Sequence, residues 1–295
     1  MSLYLICDEA GEKGWSTNQE KVSGEFGVFA GLLLNDQQYL KYLDLVKDIK
    51  RRFFTGIEKV HITDAPLEDK ALVREEIYNF VKSEGVPCIY EGVYVQGYYD
   101  SNKRLDDLRM QSVKEAEKQG DLKINSRSIK ERLHVDLFEG LFNKALAFYE
   151  DHHAGEPFIV ITDNVDKPIE QEFERVIKHL VSLGDTTEIV AKGFIPSEKK
   201  AVKTSETIKG ALGSFSVKME NGYVDLRVEA KENAIGSDVV ASSLDFHIKE
   251  EINENLIDLN GPEAIKNHPL KDNFIFVENG YFGDVDKQHP DSNTK

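Results

Sequence analysis

The sequence predicts one α/β domain that carries a long helical insertion. Short apolar runs of strand length alternate with longer stretches in which apolar residues recur at helical spacing. Neither an internal repeat nor a low-complexity linker divides the 295 residues, so we assign residues 1–255 to one domain. The insertion spans about residues 98–130. Residues 256–295 form a C-terminal extension, and we expect its last dozen polar residues to be flexible.

The first predicted strand is the apolar run Leu3–Cys7, which stops at Asp8, Glu9, Ala10 and Gly11. Two carboxylates at a strand end suit the binding of a divalent cation against a phosphate. Acids that simply cap a turn are one alternative. Another is the strand end of a nucleotide hydrolase, but that class needs a G-x-x-x-x-G-K-[ST] loop, which this sequence lacks.

The second predicted strand, Phe26–Leu34, follows a polar, glycine-containing connection, which favours a hairpin and antiparallel pairing. Asn35 or Asp36 can cap a helix that runs to about Phe54. A second helix is predicted over Leu67–Ser83.

Further along, strands and helical regions continue to alternate. We predict a strand over residues 86–95, a helical region over 101–151, a strand over 157–162, a helix over 167–183, a hairpin over 214–228 and a helix over 236–255. Asp163 directly follows one of these strands, and Asp238 lies in the first turn of the last helix.

The net charge of −16 argues against a surface that binds nucleic acid over its whole extent. Any polyanion must therefore meet a local basic patch. The best candidate is the basic, Ser/Thr-containing connection Pro196–Lys209, with Lys199, Lys200 and Lys203 as nucleic-acid contacts. A solvated, mobile loop is the alternative for this connection.

No run approaches the roughly 18 apolar residues that a membrane span needs, and the N-terminus lacks the zones of a signal peptide. Cys7 and Cys88 lie inside apolar runs, as small core residues do. We therefore expect a soluble, cytoplasmic protein without a membrane partner.

Three acids follow from this reading as a candidate metal site. Asp8 and Asp163 both come after buried strands, and if those strands are neighbours, the carboxylates lie roughly one strand spacing of 4.8 Å apart. Asp238 can join them from the start of the last helix. Such a group raises at least one carboxylate pKa and is stabilised by a cation. The predicted cofactor is Mg²⁺ or Mn²⁺.

Five short blocks of the chain resemble the bacterial DUF3800 family, which is related to the ribonuclease H-like superfamily. Together they span most of residues 3–250. The blocks are Tyr4–Gly11, Phe26–Leu34, Lys59–His61 followed by Asp64, Ile159–Asp163 and Gly236–Ala241. Two positions depart from the family pattern: Ala10 replaces a serine, and Ile235 stands where glutamine is frequent.

The resemblance implies a ribonuclease H-like mixed sheet flanked by helices, with Asp8, Asp163 and Asp238 as metal-binding acids. It offers Glu9 or Glu139 as a fourth acid. In a two-metal mechanism, cations about 4 Å apart activate water and stabilise the leaving oxygen of a phosphodiester.

His61 is the remaining candidate catalytic residue. It can shuttle protons or contact the phosphate, because an imidazole titrates near neutral pH. The alternative is a core histidine at a strand end.

Two functions compete. The first is a metal-dependent nuclease or phosphodiesterase that hydrolyses RNA or DNA in a bacterial or phage setting. The second is a non-catalytic sensor or interaction protein of the same fold, for example in defence. A phosphorylated receiver domain is a third interpretation, but it requires a helix between the first two strands. Residues 12–25 are too polar and glycine-containing for that helix.

Overall fold

The computed structural model describes residues 1–56, 61–119, 123–124, 132–163, 165–182, 187–195, 197–208, 224–228, 231–251 and 259–276. Within them the strands are β1 (Leu3–Gly11), β2 (Phe26–Asn35), β3 (Cys88–Tyr94), β4 (Lys123–Ile124), β5 (Phe158–Thr162), β6 (Thr187–Ile195), β7 (Lys200–Ile208) and β8 (Val224–Val228). The α-helices are α1 (Asp36–Phe53), α2 (Leu67–Ser83), α3 (Val95–Gln119), α4 (Leu133–His152), α5 (Lys167–Ser182) and α6 (Ile235–Glu251). Short 3-10 helices cover Ile62–Asp64, Lys231–Ala234 and Pro262–Ile265.

Five strands form a mixed sheet in the order β3-β2-β1-β5-β8. Strand β2 is antiparallel to both β1 and β3, whereas β5 is parallel to both β1 and β8. The predicted hairpin between the first two strands is confirmed. Helix α1 begins after Asn35, whose side chain accepts the N–H of Gln38 in a capping box.

Helices cover both faces of this sheet. On one face, Ile6 and Ala10 of β1 pack in a core with α1, α2 and α6. On the other face, Leu5 and Cys7 pack with α3, α4 and α5. This division follows from the alternation of side chains along a strand. The chain is therefore an α/β protein with a mixed sheet between two helical layers.

Strand β1 is longer than the sequence predicts. Asp8 and Glu9 were expected after the strand, but they lie within it, because β2 continues to pair until Gly11 meets Gly27. The parallel partner β5 stops earlier, with Thr162 opposite Cys7. Asp8 therefore lies in a central strand, at the point where its parallel neighbour ends.

A second, smaller sheet has the order β4-β6-β7. The connection Pro196–Lys209 was expected to be a loop, and this is wrong for β7, which pairs with β6 along its whole length. The apolar or β-branched residues Val202, Thr204 and Ile208 lie two or four positions apart and favour the strand, whereas Lys203 and Glu206 among them obscure the pattern. Part of the predicted helical insertion is likewise the strand β4.

The predicted hairpin over 214–228 lies only partly within the described residues. Its second arm is β8, which is the parallel neighbour of β5. The turn at Glu220–Gly222 and the last dozen residues of the chain lie outside the described part.

Residues 259–276, which the sequence assigns to an extension, belong to the same folded unit. The N–H of Cys88 donates to the carbonyl of Asn273 at 2.8 Å, and Leu259 and Leu270 are fully buried in the core with α2 and α6.

Cys7 and Cys88 are buried free thiols, as predicted. Among the helices of the described residues, none combines the length and apolarity needed to cross a membrane.

Candidate metal centre

Asp8 enters the site from the centre of the main sheet. It is two residues from both Ile6 and Ala10, so it points to the same face of the sheet, toward α6. The residue is only 4% exposed. Its Oδ1 accepts the N–H of Glu9 at 2.9 Å.

Asp163 comes next to Asp8 because β1 and β5 run parallel. Cys7 and Thr162 are the last paired residues of the two strands, and each acid is the next residue in its chain. Asp163 is 8% exposed. The predicted convergence of these two acids is thus a direct consequence of strand direction and register.

His61 completes the group from a segment far away in sequence. It directly precedes the 3-10 helix Ile62–Asp64, and its side chain is 27% exposed. One ligand atom from each of Asp8, His61 and Asp163 lies within 4.8 Å of the other two. Lys59 and Val60, which belong to the resemblance, lie outside the described residues.

Asp238 reaches this group through His61. It is in the first turn of α6 and is 8% exposed. Its Oδ2 accepts the N–H of Ile62 at 2.6 Å and lies 3.7 Å from Nδ1 of His61. Nε2 of the same ring lies 3.7 Å from Oδ2 of Asp163. The imidazole therefore stands between two carboxylates.

The electrostatics of the group favour a cation. Burial raises the pKa of Asp8 well above its usual range, and the nearby charges of Glu9 and Asp238 raise it further. A divalent ion would relieve both effects, because it neutralises carboxylates that water no longer solvates. Two carboxylates and an imidazole are suitable donors for such an ion, so the residues present fit the predicted metal.

Glu9 does not join this group. It follows Cys7 toward the α4 face, where its carboxylate lies 3.4 Å from Nε2 of His134 and forms an ion pair with Lys13. Burial raises the pKa of Glu9, but the hydrogen bond and charge of His134, together with Lys13, outweigh burial and lower it. Glu9 is thus an ionised partner of His134.

Glu139 is also outside the group. It lies on α4, which packs against the sheet face opposite to Asp8.

Of the predicted nucleic-acid contacts, Lys199 and Lys200 are exposed at the turn between β6 and β7. Lys203 pairs with Lys192 in the backbone register of this hairpin, and its side chain is outside the described part.

Two further residues, one that contacts the start of α6 and one on α6 itself, were not predicted from the sequence. The hydroxyl of the fully buried Tyr42 donates to the carbonyl of Asn233 at 2.7 Å and accepts the N–H of Gly236 at 2.9 Å, which anchors the start of α6. Asp245 lies two turns after Asp238, and its Oδ1 has no hydrogen-bond partner among the described residues. The seven-residue spacing of the two acids was a signal for Asp245, whereas nothing in the sequence distinguishes Tyr42 from the neighbouring Tyr39.

Comparisons of this chain with protein-family models, with curated proteins and with solved structures find no match.

Proposed function

We propose that this protein is a Mg²⁺- or Mn²⁺-dependent nuclease of the ribonuclease H-like class. One observation carries the proposal: ligand atoms of Asp8, His61 and Asp163, from three distant segments, lie within 4.8 Å of one another. Buried acids are costly to bring together unless a cation or a proton compensates them. A site for a divalent cation accounts for that cost.

The fold supports the same proposal. The main sheet is mixed and lies between helical layers, which agrees with the mixed sheet flanked by helices that the ribonuclease H-like resemblance implies. The DUF3800 resemblance remains part of the proposal, and so does a cytoplasmic location.

The residues of the site have different proposed roles because they differ in burial. Asp8 and Asp163 are buried, and they would hold the cation against the end of the sheet. When bound, a divalent cation lowers the pKa of water and stabilises charge on a phosphodiester. His61 is the most exposed member of the group, so a substrate that approaches from solvent would meet the cation on the side of His61.

A nucleic acid is the proposed substrate, because a divalent cation held by two carboxylates would stabilise charge on a phosphodiester. The chain as a whole is strongly acidic, so a substrate must approach through a local basic surface. The exposed Lys199 and Lys200 at the β6–β7 turn, with Lys203 in β7, are the proposed contacts.

The test is cleavage by the full chain of single- and double-stranded RNA and DNA, with Mg²⁺, with Mn²⁺ and with EDTA. We expect metal-dependent cleavage that Asp8→Ala or Asp163→Ala reduces by at least about 100-fold. Asp44→Ala is the matched control, because Asp44 is an exposed aspartate on α1.

Cleavage that persists in both site variants would contradict the proposal. Full biological activity of Asp8→Ala would instead favour the non-catalytic sensor. Ala10 is compatible with that alternative, since it packs against the core and offers no hydroxyl to the site.

A further inference from the structure

The two ring nitrogens of His61 have different surroundings. Nε2 faces Oδ2 of Asp163, 3.7 Å away, and Asp163 belongs with Asp8 and His61 to the group whose ligand atoms lie within 4.8 Å of one another. Nδ1 faces Oδ2 of Asp238, also at 3.7 Å. A neutral imidazole has one N–H donor and one lone pair. The ring can therefore bind a cation through one nitrogen while it donates a hydrogen bond from the other.

Asp238 already holds the backbone beside His61. Its Oδ2 accepts the N–H of Ile62 at 2.6 Å, in a buried position. A shift of less than about 1 Å would let Nδ1–H of His61 donate to the same oxygen. Metal-binding histidines usually donate their second N–H to a carboxylate or carbonyl, which fixes the tautomer and the ring orientation.

We propose that His61 is a metal ligand through Nε2, together with Asp8 and Asp163, and that Asp238 is a positioning residue that acts through His61. The inference rests on the proposed function. It revises the expectations that Asp238 binds the metal directly and that His61 only shuttles protons or contacts phosphate.

The donor set also selects the cation. Carboxylate oxygens suit both Mg²⁺ and Mn²⁺, whereas an imidazole nitrogen suits transition-metal ions. A site of two carboxylates and one imidazole therefore binds Mn²⁺ in preference to Mg²⁺, and the preference comes from His61.

The direct test is pulsed electron paramagnetic resonance of Mn²⁺ added to the full chain. An imidazole nitrogen bound to Mn²⁺ produces a hyperfine coupling that carboxylates cannot produce. We expect this coupling in the wild type and its loss in His61→Gln. Asp238→Asn should keep the coupling, because its amide oxygen can still accept the N–H of Ile62, and should weaken Mn²⁺ binding by about 10-fold.

Competition between Mn²⁺ and Mg²⁺ supplies a second readout. The wild type should prefer Mn²⁺ by at least about 10-fold, and His61→Gln should lose most of that preference. Asp163→Asn is the matched control, since it removes a carboxylate ligand and should weaken the binding of both ions. Thermal unfolding in EDTA checks that each variant is folded.

Three results would overturn the inference. The first is Mn²⁺ binding that requires Asp163 but gives no imidazole coupling in the wild type. The proposed function would then stand without His61 as a ligand. The second is a coupling that persists in His61→Gln. The third is an Asp238→Asn variant that loses Mn²⁺ as completely as Asp163→Asn, which would make Asp238 a direct ligand. A wild-type chain that binds no Mn²⁺ would instead overturn the proposed function itself.

Discussion

The hydroxyl of Tyr42 lies 2.9 Å from the backbone nitrogen of Gly236, so that helix α1 holds the first turn of helix α6 in place. The same hydroxyl donates to Asn233 just before the helix. A Cβ on Gly236 would lie 2.7 Å from the Tyr42 ring, so the contact requires glycine. Asp238 stands two residues further on, and its position near His61 therefore depends on Tyr42.

Tyr42→Phe should destabilise the protein and weaken the metal site. The substitution keeps the ring but leaves the N–H of Gly236 and the carbonyl of Asn233 without this partner, which costs about 1–3 kcal/mol of unfolding free energy. Urea denaturation measures that loss, and Mn²⁺ titration measures the effect on the site. Tyr99→Phe is the control, because Tyr99 is only partly buried on α3. Equal effects of the two substitutions would rule out this role of Tyr42.

Lys144 and Glu91 form a buried ion pair, with 2.7 Å between Nζ and Oε2 and less than a tenth of each side chain exposed. Lys144→Met should destabilise the protein by about 3–5 kcal/mol, because it leaves the Glu91 carboxylate buried without its cation. Lys144→Met combined with Glu91→Leu should recover much of that loss. Chemical denaturation checks both.

The matched control is Lys266→Met, which breaks the exposed pair of Lys266 with Glu263 and should cost less than about 1 kcal/mol. If Lys144→Met lowered the unfolding free energy no more than this control, the buried pair would not stabilise the fold.

His268 should make the protein sensitive to acid. Burial, followed by the charges of His247 and Lys82, lowers the pKa of His268 from 6.5 to about 3. Its Nδ1 accepts the N–H of Leu270 at 3.1 Å, a bond that protonation would break. The unfolded chain binds the proton first, so this contribution to stability is complete above pH 6.5 and is lost as the pH falls toward 3.

The measurement is unfolding free energy against pH for the wild type and for His268→Asn, which cannot titrate. The slope of unfolding free energy against pH, between pH 6.5 and about 3, should be smaller in His268→Asn than in the wild type. His179→Asn, at an exposed position on α5, is the control. A slope that is unchanged in His268→Asn would show that other groups cause the acid sensitivity.

Protons should compete with the metal at Asp8. Since burial and neighbouring acids raise its pKa, Asp8 stays protonated to higher pH than an exposed aspartate, and binding a cation must release that proton. Mn²⁺ affinity should therefore rise as the pH is raised above the range in which an exposed aspartate titrates. Titrations in weakly buffered solution can follow the released proton. Affinity that stays constant as the pH is raised above that range would be incompatible with Asp8 as a ligand.

Local sequence patterns were sufficient for most elements of the main sheet and its helices. The apolar run from Leu3, the capping residue Asn35 and the period of Leu67–Ser83 each lie within one window of the chain, and the structure confirms the elements that they predict. The acids Asp8 and Asp163 could also be predicted to meet, because each directly follows the last paired residue, Cys7 or Thr162, of two strands that proved to be parallel neighbours.

Pairing between distant segments decided the rest. The length of β1 depends on its register with β2, which carries Asp8 and Glu9 into the strand and directs Glu9 toward His134. The strand β7 depends on β6. The place of His61 between Asp163 and Asp238 depends on α6, which follows it by more than 170 residues. Periodicity is a property of a short window, whereas the direction, register and packing of remote segments arise only when the whole chain buries its apolar surface together.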